Sequence, residues 1–372
     1  MRVLYLTTTL AAYPGDPQGG SGNTWLEFFV EMSRYADVTV IAPRVPGLSQ
    51  LTTVENLRIV RVGPVKPPRS LEDILVSRDF WRLPPLFTNM WKTANTLIKS
   101  EHYDIIHAFW ALPSGFICAM LSTDTPRVGT CLGSDIHSWS HKPIAGHLVK
   151  YALNRMELCI GVSQDICSRA TELGAKNVKF IPTPINMSQF PCHPEYSELH
   201  SLAFVGRLTK KKGIYFLLDA LDLAKHAIPD IRLYICGDGP ERHRLSRYLD
   251  SHNLGDCVDI MGPLDRQGIV QTLAKSRALV LPSLGEGTPS VILEALCIGR
   301  PVVATDTGDI RKLVGPDSGQ VIQGTDPDSL AEAIVSVLNA RYDAEKLREK
   351  VNNFDLKHIV RQYLLGYEEQ LP

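Results

Sequence analysis

Short apolar runs alternate with segments of helical periodicity along the chain. RVLYL (2–6) predicts a buried strand, WLEFFVEMSRY (25–35) a helix and DVTVIAP (37–43) a second strand. YDIIHAF (103–109), PRVGT (126–130), ELCIGVS (157–163) and VKFIPTP (178–184) continue the series, with helical patterns between most of them. Strands that are apolar on both faces belong to parallel sheets covered by helices. The pattern restarts at SLAFVG (201–206) and runs through IRLYICG (231–237), CVDIMG (257–262), ALVLPS (278–283), PVVAT (301–305) and GQVIQG (319–324). Ile214, Leu217, Leu218 and Leu221 mark one helical face. Asp326 and Pro327 read as the N-cap and first-turn residue of another helix.

Between the two series lies a proline-rich segment carrying Pro182, Pro184, Pro191 and Pro194. The expected organisation is α/β, with two Rossmann-like parallel-sheet domains facing a central cleft. Residues 1–185 form the first domain, 186–199 a linker and 200–352 the second domain. A C-terminal helix in 353–372 is expected to return to the first domain. Ligands of such sheets sit at the carboxyl ends of the strands.

The chain has 372 residues, enough for about two cores. Forty acidic residues offset 39 basic ones, so no basic groove for nucleic acid is announced. The eight cysteines form no CxxC pair and fit free buried thiols in a reducing compartment. The opening MRVLYLTTT reads as a first strand rather than a leader peptide. No apolar run is long enough to span a bilayer. A cytoplasmic protein is expected, with peripheral contact to the inner face of the membrane through 139–155 or 80–99, whose alternative role is packing on the first sheet.

Three stretches concentrate chemistry. In FVGRLTKKKG (204–213), Gly206 ends a strand, and Arg207 and Lys212 suit a diphosphate. The alternative is a solvated basic turn. In ICGDGPE (235–241), Gly237 ends a strand and the turn lies at the ligand-facing edge, or is only a connection. The third is PSLGEGTPSVILEALCIGRPVVAT (282–305). Here Gly287 precedes a helix start. Thr288 could cap it, Pro289 would fit its first turn, and the amides of Ser290 and Val291 would point at an anion. Glu286 precedes that start and Glu294 lies about two turns inside the helix, about 12 Å away at 1.5 Å per residue. Two glutamates so spaced could grip two parts of one ligand. Both could instead be surface residues, although an acid within VILEALCI calls for a partner. His107 and Asp135 each follow an apolar strand. Each is either structural or a contact to an acceptor.

VGRLTKKKG, GDGPE and EGTPSVILEALCIGRPVVAT, in that order, resemble the retaining nucleotide-sugar glycosyltransferases of group 1, glycosyltransferase family 4, with the GT-B fold. The resemblance covers nearly the whole chain and is strongest over 200–324. It implies a UDP-, GDP- or ADP-sugar donor, no further cofactor and no essential metal. Arg207 and Lys212 would clamp the donor diphosphate and Glu294 would bind the ribose. Glu286 would contact hydroxyls of the donor sugar. Gly206, Thr288, Pro289 and Ser290 would shape the phosphate pocket. The first domain would receive a glycan or lipid-linked acceptor in cell-envelope polysaccharide or glycolipid synthesis. Gly19, Gly20 and Gly22 in GDPQGGSGN would form its glycine-rich loop. The chain departs from the family pattern at His107-Ala108-Phe109, where a second histidine is missing, and at Leu132, where a histidine is usual. A nucleotide-sugar sensor and a GT-B-like nucleotide-sugar epimerase are the alternatives.

Overall fold

The computed structural model describes residues 1–10, 21–45, 47–63, 83–195, 199–286 and 289–371. The chain divides into two compact units, Met1–Pro184 with Leu356–Pro372, and Ile185–Asp355.

The first unit is built on β1 (Arg2–Leu6), β2 (Asp37–Pro43), β3 (Leu51–Val54), β4 (Leu57–Val62), β5 (Ile105–Phe109), β6 (Arg127–Cys131), β7 (Leu158–Gly161) and β8 (Val178–Phe180). Their order is β3-β4-β2-β1-β5-β6-β7-β8. All neighbours run parallel except β3 and β4, an antiparallel hairpin at one edge. The sequence pattern did not announce that hairpin. β4, the second strand from that edge, alternates buried and half-buried positions, as a strand with one covered face does.

Helix Leu356–Glu368 packs within this unit. It buries Tyr363 and Tyr367 against the core, and the hydroxyls of Tyr5 and Tyr367 lie 2.9 Å apart. Among the described residues no helix is long and apolar enough to cross a membrane.

The second unit carries β9 (Ser201–Val205), β10 (Arg232–Cys236), β11 (Val258–Gly262), β12 (Ala278–Leu281), β13 (Val302–Thr305) and β14 (Gly319–Ile322). The order is β11-β10-β9-β12-β13-β14, with every pair parallel. The chain winds outward from β9 to β11, then returns to the other side of β9 with β12. The carboxyl ends of β9 and β12 therefore form the switch point at which such sheets bind ligands. Helix Ile214–Ala227 buries Ile214, Leu217, Leu218 and Leu221, the face its sequence marks. Asp326 caps Pro327–Asn339 by accepting from the Ser329 amide at 3.0 Å.

The proline-rich segment after Pro184 is laid onto the second unit rather than standing free of both. Met187 and Phe190 are buried there. Arg300, itself buried, donates to the carbonyls of His193 (2.7 Å) and Glu195 (2.7 Å) as well as to those of Leu273 and Ala274. Arg348 adds bonds to the carbonyls of Met187 and Phe190. Proline-interrupted backbone cannot satisfy its own acceptors, and these two guanidinium groups satisfy them instead.

Candidate functional site

The loops after β9, β10 and β12 hold the three sequence stretches, and strand order makes them neighbours. After β9 the chain passes Gly206, whose amide donates to the Cys236 carbonyl at 2.9 Å, and then the exposed Arg207. A 3-10 turn over Lys210–Lys212 follows and stops at Gly213. Gly213 has φ 71°, and a Cβ there would stand 1.9 Å from the carbonyl oxygen of Pro282. No other residue permits that approach at that conformation. The contact brings the β9 loop against the end of β12, where the Leu284 amide donates to the Lys211 carbonyl at 2.8 Å.

The GDGPE loop serves this arrangement as a buttress. Gly237 has φ 145°, and a Cβ on it would lie 1.9 Å from the Gly206 carbonyl oxygen. The Leu208 amide donates to the Asp238 carbonyl at 2.9 Å and the Glu241 amide to the Leu208 carbonyl at 3.2 Å. Glu241, buried, accepts from the Tyr215 hydroxyl at 2.8 Å. Gly237 was expected against the ligand, but its geometry gives it a packing role behind Gly206. Gly206 differs, since a Cβ there would meet only the Phe204 ring, at 3.8 Å. Packing does not require a glycine at 206.

Lys212 and Glu286 are brought together as an ion pair, Nζ to Oε1, with 27% and 12% of their side chains exposed. Gly287 and Thr288 lie outside the described residues. Pro289 sits at the N-cap, its ψ of 118° extended, so the helix opens at Ser290. Pro289 therefore precedes the first turn instead of occupying it. Pro289 has no side-chain group with which to cap this start, and among the described residues no side-chain cap is made there.

Helix Ser290–Ile298 is buried all round except at Ser290 and Glu294, one turn apart on one face. Glu294 is the fifth residue of the helix, nearer its start than a two-turn separation implied. Glu286 is in the loop, so the helical rise does not set the distance between the two glutamates. At the end of β13, the Thr305 hydroxyl bonds the Ser283 carbonyl and ties this strand to the same loop. Lys312 bonds Asp309 at 2.6 Å.

In the first unit, His107 is fully buried, with the Tyr367 and Thr130 hydroxyls 2.5 and 2.8 Å from its two ring nitrogens. Its ring stacks on Phe109 at 4.8 Å. Burial lowers its pKa to about 3, so the ring is neutral. This is the packed histidine of the two alternatives, out of an acceptor's reach. Asp135 is also fully buried. Its carboxylate accepts from the amides of Ala111 (2.8 Å), Gly133 (2.9 Å), Ile136 (3.1 Å) and Leu132 (3.2 Å). Burial pushes its pKa up while those bonds pull it down. It pins the loops after β5 and β6 to one another, the structural of its two alternatives. Gly22 lies in the first turn of helix Ser21–Met32, whereas Gly19 and Gly20 fall outside the described residues.

All eight cysteines are free, and six of them are buried. Among the described residues, no group of three or more His, Cys, Asp or Glu side chains is placed to hold a metal ion.

Sequence reasoning missed Gly213, Glu241 and Arg300. A glycine directly before a helical pattern was a usable signal for the first. The other two act through contacts distant in the chain.

The model of Glycosyltransferase Family 4 matches residues 18–189, and that of Glycosyl transferases group 1 matches residues 189–354. The chain is 27% identical to TuaC of Bacillus subtilis, which bears the name of a teichuronic acid biosynthesis glycosyltransferase, over 93% of this chain and 90% of that protein. Its fold is similar to that of sucrose-phosphate synthase from Thermosynechococcus elongatus, with TM-score 0.80 and 21% identity over 100% and 99% of the two chains. HepE of Anabaena, solved in complex with UDP-glucose, matches with TM-score 0.74 and 20% identity over 99% and 100%.

Proposed function

We propose that this chain, which belongs to the family 4, group 1 glycosyltransferases and has their two-domain GT-B fold, moves a sugar from a nucleoside-diphosphate donor to a glycan or lipid-linked acceptor with retention at the anomeric carbon. That it is a glycosyltransferase is the premise. The donor, the acceptor and the stereochemistry are the proposal.

The observation that carries it is the meeting of Lys212 and Glu286 at the β9/β12 switch point, beside the start of the Ser290–Ile298 helix. A diphosphate bound there would take over the Lys212 ammonium, and Arg207 would hold its other face. Glu286, released from Lys212, would accept hydrogen bonds from hydroxyls of the donor sugar. Glu294, on the same helical face as Ser290, would accept from a ribose. Gly206 leaves room for the diphosphate to lie against the backbone.

The transfer forms a bond from the acceptor oxygen to the anomeric carbon and breaks the bond from that carbon to the β-phosphate oxygen. The electron pair of the broken bond leaves with the diphosphate. The acceptor's proton passes to a phosphate oxygen on the same face of the sugar, so the original configuration returns. Negative charge grows on the diphosphate as the bond breaks. Arg207, Lys212 and the first-turn amides of the Ser290–Ile298 helix would stabilise it.

The likeness to a protein named for teichuronic acid biosynthesis favours a cell-envelope polysaccharide or glycolipid product. The complex of HepE with UDP-glucose favours a uridine donor. Incubation with UDP-, GDP- and ADP-sugars and extracted lipid-linked acceptors tests the reading, with mass spectrometry of the products. A glycosylated acceptor carrying the α-linkage of its α-donor is expected. Donor binding without any transfer would make the protein a sensor, and an altered donor sugar would make it an epimerase.

A further inference from the structure

From Trp139 to Met156 the chain contains no carboxylate, whereas Lys142, Lys150 and Arg155 are cationic and His141 and His147 are titratable. Helix Pro143–Leu153, in the first unit, buries Gly146, Val149, Ala152 and Leu153. Its other face turns Ile144, His147, Lys150 and Tyr151 outward. Ile144 is 80% exposed and Tyr151 38%. Seven residues apart, they stand on one side of the helix about two turns from each other.

The aromatic rings of this face carry cations. Lys142 lies 4.6 Å from the centre of the Trp139 ring, and the Arg155 guanidinium 4.2 Å from that of Tyr151. Acids in the adjoining elements are engaged elsewhere. Asp165 pairs with His137 at 3.2 Å, Glu172 with Arg169 at 2.7 Å, and Glu157 accepts from the Arg127 amide at 2.6 Å.

A single exposed isoleucine needs no explanation. One ringed by cations and amphipathic aromatics has the chemistry of a helix that lies in a bilayer interface. We propose that this face docks the protein on a bilayer with anionic headgroups, Ile144 and Tyr151 entering the headgroup–acyl boundary and Lys142, Lys150 and Arg155 meeting the lipid charges. The proposal deepens the lipid-linked branch of the function given above and rests on it for its purpose, since docking would hold the enzyme beside an acceptor carried in the membrane. The other basic and aromatic segment is more mixed. Helix Leu83–Ser100 also exposes Lys92 and Lys99 beside Trp91, but Thr88, Asn89 and Thr96 interrupt that surface, and no aliphatic side chain stands out from it as Ile144 does; the helix buries Leu86, Met90 and Ala94 in the core.

Vesicle flotation with the full chain tests the proposal, using phosphatidylcholine vesicles with and without phosphatidylglycerol. Binding is expected only to the anionic vesicles. A lysine or arginine near such a surface contributes about 1 kcal/mol, or about fivefold in partitioning. The triple variant Lys142→Gln, Lys150→Gln, Arg155→Gln should therefore bind about a hundredfold more weakly. Ile144→Ser should lose up to about tenfold from the apolar contribution, while Lys92→Gln with Lys99→Gln should bind as the parent does. Affinity for UDP should be unchanged in all of them, so a failure of the donor site would appear separately from a failure of docking. No flotation of the parent protein, equal binding to neutral vesicles, or full binding by the triple variant would overturn the proposal. So would a concentration-dependent dimer that Ile144→Ser dissociates, because a second copy would then be what covers this face.

Discussion

The ammonium of Lys212 and the carboxylate of Glu286, 74 positions apart, form one ion pair at the neighbouring ends of β9 and β12. Both side chains are partly buried, with 27% and 12% exposed. The consequence of the pair is for binding. On the proposed reading the carboxylate occupies the cation that a diphosphate would use, and an incoming diphosphate would displace it.

Arg207 and Lys212 are expected to share that anion. Arg207→Ala and Lys212→Ala should each weaken nucleoside-diphosphate binding about tenfold or more, since a charge-assisted bond is worth roughly 1.5–3 kcal/mol. Titration calorimetry of the folded variants reads the change. Unaltered affinity in both would remove the clamp.

Gly213 sets the position of Lys212. Gly213→Ala demands a left-handed backbone and a methyl group 1.9 Å from the Pro282 oxygen. The loop after β9 must move, and the variant should lose more than about 2 kcal/mol of stability or most of its diphosphate affinity. Denaturant titration and calorimetry on one preparation would detect either. Parent-like values in both would contradict the packing described for this loop.

His107 links stability to pH in the first unit. Burial sets its folded pKa at about 3, below an unfolded value of about 6.5. The unfolded chain therefore binds the proton first. The neutral ring's contribution is full above about pH 6.5 and declines as pH falls toward 3, by up to about 1.4 kcal/mol per unit. His107→Gln should be destabilising at pH 7.5, and the gap from the parent should narrow at pH 5. Chemical denaturation at the two values checks it. A constant gap would mean that the histidine is not buried as the neutral ring.

Much of this was legible in the sequence, and the exceptions have physical causes. β9, β10, β12 and β13 are continuous apolar runs because both faces of a parallel sheet are covered. The β3–β4 hairpin lacks that signal because one of its faces is open. Arg207, Lys212 and Glu286 could be singled out by type and spacing. Their arrangement could not, because it depends on Gly213 fitting against Pro282 and on strand order. His107 and Asp135, following strands on the ligand-binding side, could be read either as structural or as contacts to an acceptor. Their actual partners are Tyr367, 260 positions away, and four backbone amides. Neither contact leaves a local pattern.

The central claim is that Glu286 and Glu294 divide the donor between them. The most direct measurement is paired: nucleoside-diphosphate affinity and turnover with the intact donor, in Glu286→Gln and in Glu294→Gln. Glu294→Gln should weaken the free diphosphate and the donor alike, because it removes charge facing the ribose. Glu286→Gln should leave diphosphate affinity unchanged or tighter, since it takes a competing carboxylate away from Lys212. It should nevertheless slow transfer, as an interaction made mainly in the transition state would. Loss of diphosphate affinity in Glu286→Gln equal to that in Glu294→Gln would contradict the division and assign both carboxylates to the nucleotide.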